Sequence, residues 1–351
     1  MRLVRHLVLS LFILLSVTGC RKEVQPYFPF TPLDSLPFEN SNIKMEVKDT
    51  FSFSSQVNDI HFFDAANGIA ITGNERIYQT KDGGISWTIQ YAPADSMPLY
   101  QLLFTDRNTG YAVGGKDQCV GTGCMLPGGI ILKTIDGGTT WKTIFEKQDV
   151  EFVSISVNDK GVLFAVCNGA DNQVFKSTDE GNSWTSLNLV HVPFHKITFN
   201  NNYGYCTSIG TRLLISDDDG NTWKDDSVFD VNYSADIGFK DGVGFCIAGN
   251  INVYKTSGNG NNWINKYAFG LMGFTVIAPL TANNCLVFGR GDYSGGDFGY
   301  SGGGVWQTTD GGNNWASAQF KNITAVNCTS FYTAANGYAV AGNKLLNITV
   351  K

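Results

Sequence analysis

Aspartate and tryptophan recur together at a fixed spacing along this chain of 351 residues. Six segments fit the pattern Ser/Thr-x-Asp-x-Gly-x-x-Trp, which we call the box, although Gly258 replaces the aspartate in the fifth. An exposed aspartate can act as a general acid, and tryptophan offers a flat face to a sugar ring. The box residues concerned are Asp82, Trp87, Asp136, Trp141, Asp179, Trp184, Asp218, Trp223, Trp263, Asp310 and Trp315.

Each box residue also has a structural use. The aspartate can accept hydrogen bonds from nearby backbone N–H groups and hold a tight turn. The second glycine tolerates a positive φ, and the tryptophan can pack a large apolar face between neighbouring structural units. The fifth box loses its aspartate but keeps Gly260 and Trp263. We therefore interpret the boxes as folding elements and predict no catalytic residue among them.

The spacing of the boxes predicts a repeat protein. Successive box tryptophans lie 54, 43, 39, 40 and 52 residues apart, and a period near 40 with short strands is typical of propeller blades. Each unit reads as four short strands, labelled A to D from the centre outward, with the box joining C to D. First strands are predicted to begin near Val57, Tyr100, Val153, Lys196, Asp236, Phe274 and Val326.

The seventh unit stops after its third strand. The segment 44–53 alternates well enough to supply the missing outer strand, which would remove an open sheet edge. We therefore predict an all-β fold, a seven-bladed β-propeller of four-stranded antiparallel blades over residues 43–351, closed by an N-terminal strand.

With these boxes the sequence resembles Asp-box (BNR-type) repeat proteins. The Thr-x-Asp-Gly-Gly-x-x-Trp variant is most similar to the Ycf48-like photosystem II assembly factor group, although the arginine patch expected of that group is not evident here. Sialidases and xyloglucan-cleaving glycosidases share the box. The resemblance implies a propeller whose boxes lie on the face away from any active site. It does not imply one activity, because function depends on sites grafted onto the fold.

The N-terminus resembles a bacterial lipoprotein signal peptide. Arg2 and Arg5 precede an apolar run that ends in Val-Thr-Gly-Cys at Cys20. This predicts cleavage before Cys20, its lipidation, and a tether over residues 21–42. An uncleaved anchor helix and a plain secretory signal are the alternatives. The prediction places the protein in the cell envelope, membrane-anchored, at the outer membrane and either periplasmic or surface-exposed.

Charge and motifs exclude several classes of function. The net charge of −6 and the pI near 5.2 argue against a nucleic-acid partner. No nucleotide-binding or cofactor motif is present, and no cofactor is expected. The pair His191 and His195 has the spacing of metal ligands on a helix, but Pro193 between them argues against a helix, so no metal site is predicted.

A glycosidase function would require side chains that converge on one site. A sialidase requires three arginines that meet, and Arg107 is predicted on the box face, the wrong side. The arginines of the predicted propeller are Arg76, Arg107, Arg212 and Arg290, and a sialidase is disfavoured. A retaining or inverting glycosidase requires only two carboxylates at a suitable separation. Loop carboxylates that could share one face are Asp95, Asp117, Asp149, Glu151, Asp292 and Asp297.

Two long insertions between strands B and C point to the face opposite the boxes. They cover residues 114–129 and 289–304, and long loops on a rigid scaffold often carry function. Oxidation of Cys119 and Cys124 would pin the first insertion. The remaining cysteines of the repeats read as small buried hydrophobes. Aromatic and charged side chains of the second insertion suit a glycan or peptide contact, and its candidate binding residues are Arg290, Asp292, Tyr293, Asp297, Phe298 and Tyr300.

Taken together, the sequence predicts a monomeric, lipid-anchored propeller that binds an envelope or extracellular protein or glycan through the face opposite the boxes, without catalysis. The alternative is a glycoside hydrolase, sialidase-like or xyloglucanase-like, which uses loop carboxylates on that same face.

Overall fold

A computed structural model describes most of the repeat region. The described residues are 43–48, 51–74, 76–92, 97–115, 128–169, 173–187, 189, 193–208, 213–226, 234–249, 252–258, 260, 262–268, 273–290, 303–320 and 325–351. The predicted signal peptide, Cys20, the tether and the pair Cys119 and Cys124 lie outside them. No helix among the described residues is long and apolar enough to cross a membrane.

Twenty-eight strands form seven four-stranded antiparallel sheets. Blade 1 contains β2 (Val57–Phe62), β3 (Gly68–Thr72), β4 (Ile77–Thr80) and β5 (Thr88–Tyr91). Blade 2 contains β6 (Leu99–Phe104), β7 (Gly110–Gly114), β8 (Gly129–Thr134) and β9 (Lys142–Lys147). Blade 3 contains β10 (Val150–Val157), β11 (Leu163–Gly169), β12 (Gln173–Ser177) and β13 (Thr185–Ser186). Blade 4 contains β14 (Phe194–Asn200), β15 (Tyr203–Ser208), β16 (Leu213–Ser216) and β17 (Lys224–Asp226).

The remaining blades follow the same order. Blade 5 contains β18 (Ser234–Lys240), β19 (Val243–Ala248), β20 (Asn252–Ser257) and β21 (Ile264–Ala268). Blade 6 contains β22 (Phe274–Pro279), β23 (Cys285–Arg290), β24 (Gly303–Thr308) and β25 (Ala316–Phe320). Blade 7 contains β26 (Cys328–Phe331), β27 (Asn336–Ala341), β28 (Lys344–Val350) and, as its outer strand, β1 (Ile43–Lys48). The chain is a seven-bladed β-propeller, as the sequence predicted.

Strand β1 closes the ring without a covalent link. It pairs antiparallel with β28, from Ile43 opposite Val350 to Lys48 opposite Leu345. The last C strand therefore has a partner instead of an open edge, which would otherwise template pairing with another chain. The closure by an N-terminal strand is confirmed.

The innermost strands differ from prediction in one respect. Six of the seven carry a β-bulge near their first residues, as between Val57 and Asp59 or between Phe152 and Ser154. A bulge adds one residue and breaks the alternation of inward and outward side chains. Strand β10 begins at Val150, three residues before the predicted start at Val153, whereas the bulged strands β2 and β22 begin at their predicted residues.

The box tryptophans pack between blades. Trp141 of blade 2 lies in a cluster with Ile69 and Ile77 of blade 1 and with Leu132 of its own blade. Trp87 of blade 1 packs in the same way against Tyr338 and other residues of blade 7. A box tryptophan packs at six of the seven junctions, and burial of these large side chains supplies much of the apolar area that holds those blades together. The repeat cysteines are buried in first and second strands: Cys167, Cys206, Cys246, Cys285 and Cys328.

Antiparallel blades give the ring two distinct faces. The A–B turns and the boxes lie on one face, which we call the box face. The B–C and D–A connections lie on the other, which we call the mouth face.

Candidate functional site

The first strands of all seven blades surround a polar cavity at the centre of the ring. It encloses about 970 Å³. Its lining comes mainly from the early residues of the A strands, where they begin at the mouth face, together with Asn168 at the end of β11. We call this cavity the channel mouth. Its charged or titratable lining residues are Asp59, His61, Tyr100, Glu151, His195, Lys196, Asp236 and Cys328.

Polar side chains link each blade to the next around the channel mouth. Asp59 Oδ2 accepts a hydrogen bond from the Leu102 N–H of blade 2 at 2.8 Å. Asp236 Oδ2 accepts one from the Ile277 N–H of blade 6 at 2.9 Å. The other five junctions are linked by Gln101, Ser154, Lys196, Thr275 and Ser330. Six of the seven links satisfy a backbone N–H or C=O group of the neighbouring blade, as buried polar groups require, and the Lys196 link joins two side chains.

Two carboxylates of the channel mouth have close side-chain partners. Lys196 Nζ lies 2.5 Å from Asp236 Oδ1, in a pair that is largely shielded from solvent. Tyr100 Oη donates a hydrogen bond to Glu151 Oε2 at 2.9 Å. Asp59 forms no ion pair with any residue that the structure describes, and it is held by backbone N–H groups. Three carboxylates and one lysine thus give the channel mouth an acidic balance.

Burial shifts the pKa values of the channel mouth. Desolvation by the surrounding strands raises the pKa of Asp59 to about 7, although hydrogen bonds from the Leu102 and Ile60 N–H groups oppose the shift. Burial also lowers the pKa of His61 to about 4 and lowers that of His195. Both imidazoles therefore tend to be neutral at pH 7, because the charged form is disfavoured in a low dielectric.

The boxes form a repeated hydrogen-bond network on the opposite face. In box 1, Asp82 Oδ1 accepts hydrogen bonds from the Thr80 hydroxyl at 2.8 Å and the Ser86 N–H at 2.9 Å. Asp82 Oδ2 accepts another from the Ser86 hydroxyl at 2.6 Å. The same three bonds recur at Asp136, Asp179 and Asp218. At Asp310 the side-chain amide of Asn314 replaces the hydroxyl as the third donor. Hydrogen bonds from Ser86 lower the pKa of Asp82 to about 2, which suits a turn anchor and not a proton donor.

The structure separates the residues suggested from sequence. Glu151 lines the channel mouth, whereas Asp149 is exposed in the D–A turn before β10. Arg76 precedes β4 on the mouth side, whereas Arg107 pairs with Asp64 on the box face, so these two arginines do not converge. His195 lines the cavity, and no group of three metal-binding side chains occurs among the residues the structure describes.

Other candidates lie outside the described residues. They are His191, Asp95, Asp117, Arg212, Asp292, Tyr293, Asp297, Phe298 and Tyr300. Arg290 ends β23, at the mouth face. Its placement agrees with an insertion that leaves from that face.

Sequence reasoning missed Asp59, Lys196 and Asp236 as site residues. They were interpreted only as parts of inner strands. One signal was available: Asp59-Ile60 and Asp236-Ile237 occupy the same place in their units, and an acidic residue early in an inner strand faces the channel.

Comparisons with known proteins agree with the fold. No family model matches the chain, and no curated protein matches it. Among solved structures, "YCF48 bound to D1 peptide" is 17% identical, with a TM-score of 0.66 over 89% of this chain and 98% of that one. The GH74 xyloglucanase from Xanthomonas campestris is 13% identical, with a TM-score of 0.64 over 86% of this chain. This chain spans about half of that enzyme, 53%.

The WD40 propeller domain of Doa1 is 12% identical, with a TM-score of 0.63 over 88% of this chain and 97% of that one. These neighbours are a peptide-bound YCF48, a xyloglucanase and a WD40 domain. At such low identity the likeness establishes the propeller fold alone.

Proposed function

We propose that this protein is a lipid-anchored propeller of the cell envelope that binds a protein partner across its mouth face and performs no catalysis. The observation that carries the proposal is the channel mouth, an open polar cavity of about 970 Å³ at the centre of that face. Concave sites with a few convergent polar groups are the usual places for ligands on a rigid scaffold.

The course of the chain supports this use of the mouth face. Strand β28 runs from the turn at 341–344 on the mouth face to Val350 on the box face, and Ile43 pairs with Val350. The chain therefore joins the propeller at the box face. The attachment point of the predicted tether, next to Ile43, is therefore on the face opposite the proposed binding surface and does not occupy it.

A structural neighbour supplies a precedent for a protein ligand. YCF48, a propeller of similar extent, has been solved with a bound D1 peptide. From this neighbour we infer only the class of ligand for the present protein, a polypeptide. Envelope glycans are the alternative class of ligand.

The glycoside hydrolase alternative has one observation in its favour. Asp59 lies in a polar cleft with Glu151 and Asp236, and a carboxyl group with a pKa near 7 can serve as a general acid. Against it, each oxygen of Asp59 accepts one backbone N–H, from Ile60 and Leu102. These bonds favour the ionised form and so oppose donation of a proton, while each oxygen keeps a second lone pair that can still accept from a cation. Asp236 already has such a cation, Lys196. These carboxylates are held as links between blades.

A photocrosslinking experiment on blade 2 tests the proposal. A photoreactive amino acid replaces Gln148, exposed in the D–A turn of the mouth face, or Ile135, which is 72% exposed in the box. In intact cells we expect one discrete protein adduct from position 148 and none from position 135. Equal adducts from both positions, or none from either, would contradict the proposal.

The same protein is then screened on envelope and host glycans. Turnover that disappears in a folded Glu151→Gln or Asp59→Ala variant would replace the binding role with the hydrolase.

A further inference from the structure

Blades 1 and 5 carry the same acidic arrangement at the channel mouth. Asp59 and Asp236 each follow the bulge of their inner strand, opposite Ile71 and Ile247 of the second strand. Each accepts a hydrogen bond from the next N–H of its own strand, at 2.9 Å. Each accepts a second from the following blade, at 2.8 and 2.9 Å.

The two sites differ in one neighbour. The blade before Asp236 supplies Lys196, whose Nζ lies 2.5 Å from Asp236 Oδ1. The blade before Asp59 has Cys328 at the position of Lys196, as the pairing with the second strands shows: Lys196 opposes Thr207, and Cys328 opposes Val340. A thiol carries no positive charge, and burial and the charge of Asp59 raise the pKa of Cys328 so that it stays neutral. Blade 5 thus contains a complete ion pair, and blade 1 contains only its anionic half.

The remaining groups around Asp59 do not replace the missing cation. From β2 and β6 it faces His61, held neutral by burial, and Tyr100. From β26 it faces Cys328, and across the channel stand Asp236 and Lys196, which are already paired. Asp59 is half-buried in the cavity wall, and a carboxylate that is shielded from water without a counter-charge is costly, which its raised pKa of about 7 reflects.

We propose that the channel mouth receives the cationic end of a lysine or arginine side chain from a protein partner, and that Asp59 is the anion that binds it. This inference rests on the proposed function and specifies the ligand chemistry of the same site. The cavity of about 970 Å³ is much larger than one such side chain. Asn58, Glu151 and Thr329 offer further polar groups along its wall.

The test uses two small probes and the full-length protein. Nα-acetyl-lysine N-methylamide carries the cation, and Nα-acetyl-norleucine N-methylamide has a similar apolar chain without it. Binding is followed by NMR up to tens of millimolar probe. We expect the lysine probe to bind at least tenfold more tightly than the norleucine probe.

The pH dependence gives a second readout. With a pKa of about 7 for Asp59, its ionised fraction falls about 30-fold between pH 8 and pH 5.5. Affinity for the lysine probe should fall by about the same factor, because the probe itself stays charged, and weak norleucine binding should not change.

Two variants and one control locate the binding. Cys328→Lys installs the cation that blade 4 already supplies to Asp236, and should abolish binding of the lysine probe. Asp59→Asn removes the charge and should do the same, so that one misfolded variant does not decide the result. The control is Asp149→Asn, which removes an exposed charge on the mouth face outside the cavity. Asp149 has a positive φ, which asparagine tolerates. This variant should change the affinity for the lysine probe less than twofold.

The outcomes separate this inference from the proposed function. No binding of the lysine probe, equal binding of both probes, or an unchanged affinity in folded Asp59→Asn would overturn the inference. If the position 148 crosslink persists in any of these cases, the binding role stands without a cationic ligand. If the crosslink is also absent, both the cationic ligand and the proposed binding function are contradicted.

Discussion

Replacing threonine by valine should have opposite effects on stability at two equivalent positions, Thr134 in the second box and Thr256 in the fifth box, which lacks the aspartate. Thr134 ends strand β8, where its hydroxyl donates to Asp136 Oδ1 at 2.8 Å and accepts from the buried Gly138 N–H at 3.0 Å. Thr256 occupies the same position in β20, but Gly258 replaces the aspartate, and the buried Thr256 hydroxyl has no hydrogen-bond partner in the part of the chain that the structure describes. Replacement by valine keeps the shape and removes the hydroxyl.

The expected magnitudes follow from these contacts. Thr134→Val leaves the Gly138 N–H buried without a partner, which costs about 1–3 kcal/mol of unfolding free energy. The exposed Asp136 can turn to water, so its lost bond adds little. Thr256→Val instead removes a buried, unsatisfied hydroxyl, and should stabilise by up to about 1 kcal/mol. Strand propensity makes little difference between the two variants, because Thr134 is the last residue of β8 and Thr256 the next-to-last of β20, and valine suits strands as well as threonine does.

Thermal unfolding of the purified variants measures the difference. At about 2 °C per kcal/mol for a chain of this length, Thr134→Val should lower Tm by about 2–6 °C and Thr256→Val should raise it by up to about 2 °C. Denaturant unfolding at 25 °C should give the same order. If Thr256→Val destabilises the protein as much as Thr134→Val does, the reasoning about the fifth box is refuted.

Three further predictions concern the faces and the channel mouth. Asp82→Ala should lower Tm and leave the position 148 crosslink unchanged, and loss of that crosslink in a folded variant would contradict a purely structural box. The ¹³C signal of the Asp59 carboxyl should titrate near pH 7 and that of Asp310 near pH 2. Because the Asp59 pKa is raised on folding, its contribution to stability is present at low pH and is lost as pH rises from about 4 to 7, so Asp59→Asn should flatten that part of the stability profile. A third test uses lipid vesicles that carry the lipidated protein, labelled with a fluorophore at Ala334→Cys on the box face or at Asn343→Cys, about 20 Å away on the mouth face. The label at position 334 should transfer energy to labelled lipid more efficiently than the label at position 343. The reverse order would contradict a box-face anchor.

The fold was predictable because its determinants are local and repeated. The box contains its own turn chemistry, since Asp136 and Thr140 are hydrogen-bonded within five residues. Each copy therefore marks one C–D connection. Seven inner strands are recognisable in the sequence and predict seven blades. The last blade lacks an outer strand, and the N-terminal segment is the part of the chain that can supply it.

Blade boundaries were less predictable where bulges occur. The bulge between Phe152 and Ser154 shifts the side-chain alternation by one residue, so a pattern of period two loses the first residues of the strand. The same bulges set the residues that line the channel mouth, and for this reason the candidate site was not apparent from periodicity.

The channel-mouth links explain why a functional position can be hidden in a repeat protein. Each junction needs a polar side chain that reaches the next blade, and this requirement is met by different residue types: aspartate, glutamine, serine, lysine and threonine. A search for a recurring residue finds the boxes, where one geometry demands one side chain. It overlooks the inter-blade links, where Asp59, Gln101 and Ser154 accept a backbone N–H, Thr275 donates to a backbone carbonyl and Lys196 donates to a carboxylate. Where a neutral side chain can accept the same backbone N–H, a carboxylate shielded from water costs more free energy. Asp59 performs a task that Ser154 performs at lower electrostatic cost at another junction, and that excess cost is the physical reason to assign Asp59 a ligand.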